Sequence, residues 1–339
     1  SYSKIEAQSF NMVNGQLVKT EITRKDIFDE KYDSKYRYKK FTIPNAQPGS
    51  IIEYTFDLIT PFVWNLPDWE FQSDIPTVYS HYNIGMVPFY EYAVITNRLQ
   101  RIDDFQSYEE NGISRSFANV SYNDMIYEYT MKDIPAFIDD DFITSRNDYI
   151  QKIEFQLAKV TQPTGAVEEI MTTWPDLVKE YATHLKFGKY IKSASKIAAK
   201  QILPSLPLEG KSDQEKIQII SQYVKTNFRR NEFVGTMTDE TANQVFKTKM
   251  GAVPEINLCL VGILRAAGLQ ANPVLLSTRG HGKIFTEYPF SSMFNYVIVQ
   301  AFMGDNFMLV DGTEASLPFY LMPLKCLNDY GLVIEEGEV

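Results

Sequence analysis

The sequence is poor in cysteine and histidine. Its 339 residues include two cysteines, Cys259 and Cys326, and three histidines, His81, His184 and His281. Two thiols are too few for a disulfide-dense scaffold, and neither residue type shows the close pairing of a zinc site. We therefore expect no metal site and no cofactor.

Basic residues are in the minority. The chain has 33 Lys and Arg residues against 43 Asp and Glu residues, for a net charge of -10. Such an excess of negative charge repels phosphate backbones and anionic lipid surfaces. Apolar runs long enough for a membrane span are also missing, and the first residues lack a signal-peptide pattern. We expect neither nucleic acid as a partner nor a transmembrane segment in this stretch of chain.

Alternating apolar and polar residues dominate the first half of the chain. The alternation over 52–58 predicts a half-buried strand, and similar runs over 127–132 and 153–157 predict two more. Turn-forming pairs such as Pro-Gly and Asn-Gly separate the runs, and no long helical pattern interrupts them. We predict an all-β antiparallel sandwich over residues 1–160.

The apolar period changes to 3.6 residues in the second half. Apolar residues recur at helical spacing from Ile217 to Phe228, and Ser212 with Glu215 predicts a capping box at the start of that helix. Further elements are predicted as helices over 241–249 and from Pro254 or Glu255 to Ala267, and as strands over 273–277, 295–301 and 307–311. Residues 161–339 are therefore expected to form an α+β domain.

Three short motifs follow one another in this second half. Gly251-Ala252-Val253 precedes the buried helix, Asn295-Tyr296 begins a strand, and Asp311-Gly312-Thr313 ends the next strand. In this order, and within residues 210–325, they resemble the motifs of the bacterial transglutaminase-like superfamily, which has a papain-like fold. The family places a catalytic cysteine, histidine and aspartate where this chain has Val253, Tyr296 and Asp311.

The first half carries a second resemblance. The segment from Ile43-Pro44-Asn45 to Tyr54, with Trp69, Phe71 and Gln72, is similar to an uncharacterised β domain often found before transglutaminase-like domains in bacterial secreted proteins. This resemblance implies a periplasmic, envelope-associated or secreted protein.

The two substitutions remove the chemistry of the family's site. Valine cannot be a nucleophile, whereas a cysteine at a helix N-terminus is activated as a thiolate. Tyrosine titrates near pH 10 and is a poor base at neutral pH, unlike histidine. Asp311 would instead accept a hydrogen bond from the phenol of Tyr296. We expect these three degenerate positions to be non-catalytic.

Four nearby residues are candidates for binding a ligand. Glu255 begins the buried helix, Arg279 ends a strand and can grip a carboxylate, His281 lies between two glycines, and Asn295 precedes Tyr296. We therefore predict a non-catalytic protein that binds a peptide-like ligand or a protein partner.

Two alternatives stay open. The chain could be an active peptidase or amidase that uses an unusual nucleophile, for which Ser291 and Ser292 lie close to the Tyr296 strand, whereas Cys259 is expected to be buried and inert. It could also be a structural module of a larger envelope protein, in which Val253 packs in the core.

Overall fold

The chain folds into strands first and helices later. The structure, a computed structural model, describes residues 2–31, 37–58, 66–96, 99–140, 143–171, 173–287 and 289–335. Contacts divide the chain into two compact units, Ser1–Leu66 and Pro67–Val339. The boundary that we predict between residues 160 and 161 follows the change in secondary structure and stays a prediction.

The first unit is built from antiparallel strands. They are β1 (Tyr2–Val13), β2 (Gln16–Glu21), β3 (Ile27–Lys31), β4 (Arg37–Phe41) and β5 (Ile51–Leu58). The strands β2, β1 and β5 form one sheet in that order, and β3 pairs with β4.

Strand β5 confirms the predicted strand, but its apolar face is not half-buried. Ile52, Tyr54, Phe56 and Leu58 are all exposed. Within the described residues, β5 pairs only with β1, so this sheet places no second strand beside it. The alternation predicted the strand correctly and its burial wrongly, because a small sheet gives an edge strand little cover.

The second unit begins with a further set of strands. They are β6 (Trp69–Glu70), β7 (Thr77–Met86), β8 (Tyr90–Ile95), β9 (Asp104–Glu109), β10 (Arg115–Phe117), β11 (Val120–Tyr122), β12 (Met125–Ile134), β13 (Lys152–Thr161) and β14 (Val167–Glu169). Strand β12 lies between β7 and β9, while β13 pairs with β6, β8 and β14, all antiparallel. The predicted strands over 127–132 and 153–157 lie in β12 and β13. Sheets in the first half are therefore mostly antiparallel, as predicted.

Five α-helices follow in the described residues. They are α1 (Trp174–Thr183), α2 (Gly188–Gln201), α3 (Asp213–Asn227), α4 (Ala242–Thr248) and α5 (Val253–Ala266). The capping box of Ser212 and Glu215 is present at the start of α3, which confirms that prediction. Helices α1 and α2 were not predicted. No helix in the described residues is both long and apolar enough to cross a membrane.

In the described residues, the remaining strands form a sheet against which α3 and α5 pack, and a separate pair of short strands. They are β15 (Arg229–Arg230), β16 (Met250–Gly251), β17 (Ala271–Leu276), β18 (Tyr296–Met303), β19 (Asn306–Val310) and β20 (Gly331–Val333). The sheet order is β19-β18-β17-β20, and β15 pairs with β16 in parallel. Helices and strands together form the expected α+β domain.

Helix α5 is the centre of this domain. Its residues from Val253 to Leu264 are all buried, as the strongly apolar sequence predicted. Helix α2 packs closely on it at Gly262, where an added Cβ would lie 2.8 Å from Cβ of Ala194. A larger side chain at residue 262 would force the two helices apart.

Candidate functional site

The positions of the three family motifs meet at one end of helix α5. Val253 is the first residue of the helix, is fully buried and packs in a cluster with Tyr296 and Cys326. Strand β18 places Tyr296 and Ile298 in this cluster, while Val297 and Val299 belong to the main helical core. Because side chains alternate along a strand, Tyr296 lies on the face of the sheet that holds the cluster.

Tyr296 is bound to Asp311 as predicted. Its hydroxyl donates to Oδ2 of Asp311 at 2.8 Å and lies 2.9 Å from Oγ1 of Thr313. Tyr296 is 0% exposed and Asp311 is 1% exposed. Burial, together with the nearby Asp311 carboxylate, raises the pKa of the phenol far above its ordinary value of 10.0. Tyr296 therefore stays protonated and acts as a hydrogen-bond donor.

Asn257 is a fourth member of the site, which our sequence analysis did not assign. It lies on helix α5, is fully buried, and donates from Nδ2 to the Val297 carbonyl at 2.8 Å and to Oδ1 of Asp311 at 3.4 Å. Its Oδ1 accepts from the Gly312 amide at 2.7 Å. An amide side chain inside an otherwise apolar helix was the signal for this role, because buried polar groups need partners.

Lys225 is a buried cation beside this network. It lies on the inner face of helix α3, is 4% exposed, and donates from Nζ to the carbonyls of Glu314 and Leu317 at 3.0 and 2.9 Å. Burial lowers the pKa of Lys225, whereas Asp311 and Glu314 act to raise it. The sequence signal was a lysine directly after Val224, on the apolar stripe of α3. Lys225 thus supplies positive charge near a buried carboxylate.

Cys326 is the thiol nearest to the old catalytic positions. It is buried in the cluster with Tyr296, and burial, followed by the nearby Asp311 carboxylate, raises the pKa of its thiol to about 12. The neighbouring Lys325 places its ammonium 5.2 Å from the centre of the Tyr296 ring and pairs with Glu314 at 2.6 Å. At neutral pH this cysteine is protonated and is a poor nucleophile.

Two of the predicted ligand residues have structural contacts instead. Glu255 is buried, and its Oε1 accepts from the Asp239 and Glu240 amides at 2.7 and 3.3 Å, on a different face of α5 from Asn257. No described group hydrogen-bonds its other oxygen, Oε2. Asn295 accepts from the Thr278 amide at 2.8 Å and donates to the Thr278 hydroxyl at 2.9 Å. Both side chains hold loops in place.

His281 is joined to Ser277 in the loop after β17. The two side chains lie 3.0 Å apart, from Nδ1 to Oγ, and a second contact joins the imidazole to the Met293 backbone. Ser277 is fully buried, and its hydroxyl donates to the Gly282 carbonyl at 2.6 Å. Partial desolvation and the Lys152 ammonium lower the pKa of His281. This is a serine–histidine pair in distance only, because the Ser277 hydroxyl is buried and donates its proton to the Gly282 carbonyl.

Arg279 differs from the other three candidates. Its backbone amide donates to the Lys325 carbonyl at 2.8 Å, which ties the loop to the segment before Cys326. Its side chain is partly exposed, and its guanidinium has no partner among the described residues. Arg279 is therefore the predicted ligand residue whose charge is still available.

The other candidate nucleophiles are not activated. Burial raises the pKa of Cys259 to about 12, and its sulfur lies 3.3 Å from the Tyr190 hydroxyl inside the core. Ser291 and Ser292 are exposed, and the hydroxyl of Ser292 donates to Oε1 of Gln156 at 3.5 Å. In the described part of the chain, no group of three His, Cys, Asp or Glu side chains is placed to hold a metal ion.

One protein-family model matches part of the chain. The model of the transglutaminase-like superfamily matches residues 201–312, which include Val253, Tyr296 and Asp311. The chain contains a transglutaminase-like domain. The matched range overlaps the 210–325 segment on which the resemblance rests. No curated protein matches the chain.

Two solved structures match most of the chain. One is a proposed protease from Parabacteroides distasonis, with 14% sequence identity and a TM-score of 0.53 over 95% of this chain and 64% of that one. The other is a proposed cysteine protease from Cytophaga hutchinsonii, with 11% identity and a TM-score of 0.30 over 79% of this chain and 78% of that one. At such low identity the first similarity shows the fold alone. This chain spans less than two thirds of the length of the Parabacteroides protein.

Within the transglutaminase-like domain, the old catalytic positions form a closed hydrogen-bonded core. The phenol of Tyr296 donates a hydrogen bond to Asp311, and Asn257 accepts one from the Gly312 amide. Val253 packs in the same buried cluster as Tyr296. Each of these side chains is buried. The arrangement can stabilise the junction of α5, β18 and β19.

Proposed function

We propose that this protein is a non-catalytic transglutaminase-like protein that binds a peptide-like ligand or a protein partner. The observation that carries the proposal is the buried hydrogen bond of 2.8 Å from Tyr296 to Asp311. In the family, an aspartate orients the histidine that serves as base. Here that aspartate is bound to a group whose pKa is raised far above neutrality.

The lack of an activated nucleophile supports the same proposal. Position 253 carries a hydrocarbon side chain, and the thiols of Cys259 and Cys326 both have a pKa of about 12. A thiol becomes an effective nucleophile as its thiolate, which is scarce when the pKa is far above the ambient pH. Ser277 is sealed in the interior and donates its proton to a carbonyl.

Arg279 supports binding rather than a purely structural role. A partly exposed guanidinium without a protein partner is suited to gripping a carboxylate through two parallel hydrogen bonds. A peptide-like ligand offers this group at its C-terminus or on an acidic side chain. The loop that carries Arg279 is held at both ends, by Asn295 on Thr278 and by Ser277 on Gly282. The guanidinium therefore projects from a fixed backbone.

Two measurements test the proposal. The first exposes the purified protein to a fluorophosphonate probe, to iodoacetamide and to fluorescent casein, with papain as the active control. We expect neither labelling of the native protein nor casein cleavage, and labelling of both cysteines after denaturation. Casein cleavage that is lost in Asp311→Ala would overturn the non-catalytic proposal.

The second measurement tests the binding of a carboxylate at Arg279. Isothermal titration compares acetyl-tetraalanine with a free C-terminus and the same peptide with an amidated C-terminus. We expect tighter binding of the free acid and no difference between the two peptides in Arg279→Gln. Arg265→Gln is not a suitable control, because Arg265 donates to the Ala271 carbonyl at 2.7 Å. Arg24→Gln, in the first unit, is the better comparison.

A further inference from the structure

A small cavity lies in the β-rich part of the second unit, among elements that the catalytic motifs do not include. Its volume is about 230 Å³, and its lining includes Phe89, Tyr90, Phe117, Tyr122, Gln162 and Pro163. These residues come from the turn between β7 and β8, the β10–β11 hairpin and the segment after β13. Three segments of the chain thus line the cavity, and four of their lining residues are aromatic.

The aromatic rings contact one another. Phe89 lies 5.1 Å from Tyr122 in an edge-to-face arrangement and 6.0 Å from Phe117, measured between ring centres. Phe117 is nevertheless 55% exposed. A large exposed apolar ring in the lining of an aromatic cavity marks a surface suited to an apolar partner.

The backbone around the cavity is held in place. The Tyr90 amide donates to the Val87 carbonyl at 3.0 Å, and the Thr161 amide donates to the Phe89 carbonyl at 2.8 Å. The backbone amide of Gln162 donates to the Ala166 carbonyl at 2.7 Å, which closes the turn after β13. The walls are therefore formed before any ligand arrives, which lowers the entropic cost of binding.

The lining is electrically neutral. None of the described residues that line the cavity carries a charge. Charged residues one or two positions from the lining residues form ion pairs, Arg115 with Asp124 at 3.3 Å and Lys159 with Glu91 at 3.5 Å. A charged ligand would lose its hydration without gaining an ion pair, so the site favours an uncharged ligand.

The polar side chains of the lining are those of Tyr90, Tyr122, Thr161 and Gln162. Gln162 is exposed, and no described residue hydrogen-bonds its side chain. It can donate to a carbonyl of a ligand whose backbone has no internal hydrogen bonds. A polyproline II segment has such a backbone, and aromatic-lined grooves recognise it by packing proline rings against aromatic side chains.

We propose that this cavity is a docking site for a proline-rich segment of a partner protein, with one proline ring in the cavity and a neighbouring carbonyl on Gln162. Drug-sized ligands occupy cavities of roughly 300–1,000 Å³, so a volume of about 230 Å³ fits one side chain of a longer chain rather than a whole small molecule. The proposal goes beyond the non-catalytic function and holds whether or not the Tyr296 site has activity.

Titration of the protein with a blocked decaproline peptide tests the proposal, with a blocked Gly-Ser decapeptide as the control ligand. Isothermal titration or NMR chemical-shift changes would report the binding. We expect decaproline to bind and the Gly-Ser peptide not to bind. The variant Phe117→Ala should weaken decaproline binding about tenfold, because truncation of an aromatic anchor commonly costs more than 1 kcal/mol.

The chain offers a matched control. Phe307 lies on the β18–β19 hairpin and is 53% exposed, against 55% for Phe117. The variant Phe307→Ala should leave decaproline binding unchanged, and Gln162→Ala should weaken it. Both phenylalanines are exposed, so neither truncation should unfold the protein, and circular dichroism would check this. Equal binding by wild type and Phe117→Ala, or no decaproline binding at millimolar concentration, would overturn the site.

Discussion

The hydroxyl of Tyr296 donates to Oδ2 of Asp311 at 2.8 Å, and both residues are buried. Asp311 also accepts from the Thr313 amide at 2.6 Å, on its other oxygen. Where the family has an acid that orients a base, this chain has an acid whose oxygens are both occupied by its own structure. The pair links β18 to the end of β19 and has become part of the core.

The variant Tyr296→Phe should destabilise the protein. It removes the hydroxyl and leaves Oδ2 of Asp311 buried without this donor, which commonly costs about 1–3 kcal/mol. Urea unfolding followed by circular dichroism would measure the loss. Tyr320→Phe is the control, because Tyr320 is 60% exposed and a surface change there should alter stability by less than about 0.5 kcal/mol. Equal stability of the two variants would contradict a structural role for Tyr296.

The variant Val253→Cys tests whether the old nucleophile position is closed. Val253 is 0% exposed, so we expect a cysteine there to resist iodoacetamide in the native protein and to react after denaturation. The two natural cysteines provide a low background, because burial raises the pKa of each to about 12. Rapid labelling of residue 253 in the native state, read by peptide mass spectrometry, would show that this position is accessible in the folded protein.

The variant Cys326→Ala should make stability less dependent on alkaline pH. The folded-state pKa of Cys326 is about 12, above the ordinary value of 9.0, so the unfolded thiol loses its proton first as the pH rises. The free energy of unfolding that depends on the protonated Cys326 thiol is therefore fully present below pH 9. It is lost progressively as the pH rises toward 12. From pH 8 to 10.5, the difference in unfolding free energy between wild type and variant should fall by about 1–2 kcal/mol.

A neighbour without a titratable group serves as the control for this measurement. Met322 packs against the same cluster as Cys326. The difference in unfolding free energy between wild type and Met322→Ala should not change with pH. If both variants followed the same pH dependence, the effect would not belong to the Cys326 thiol.

Truncation of Arg279 and of Asn295 should change the stability of the protein by different amounts. Arg279→Ala removes a guanidinium that has no described partner, so the free energy of unfolding should change by less than about 0.5 kcal/mol. Asn295→Ala removes two hydrogen bonds to Thr278 and should cost about 1–2 kcal/mol. Thermal unfolding of the two variants side by side would measure both. A large loss in Arg279→Ala would assign Arg279 to the structure rather than to a ligand.

Local patterns in the sequence predicted much of this fold. Hydrophobic periodicity located α3, α5, β12 and β13, and the Ser212–Glu215 capping box marked the start of α3, because these features depend on residues a few positions apart. The ordered motifs also indicated the transglutaminase-like domain. The same patterns missed α1 and α2, whose short apolar stripes become clear only against the helices that cover them.

Residue types alone led us to predict that Val253 and Tyr296 do not perform the family's chemistry. They did not show which polar groups remain free, because that depends on partners far apart in the chain. Glu255 binds amides 15 and 16 residues away, and Asn295 binds Thr278, whereas the Arg279 guanidinium has no described partner. Folding brings distant groups together and buries them, and a buried polar group must take whichever partner it meets. Among the four predicted ligand residues, the tertiary structure therefore leaves the Arg279 guanidinium without a described partner. It gives Glu255, His281 and Asn295 hydrogen-bond partners within the protein.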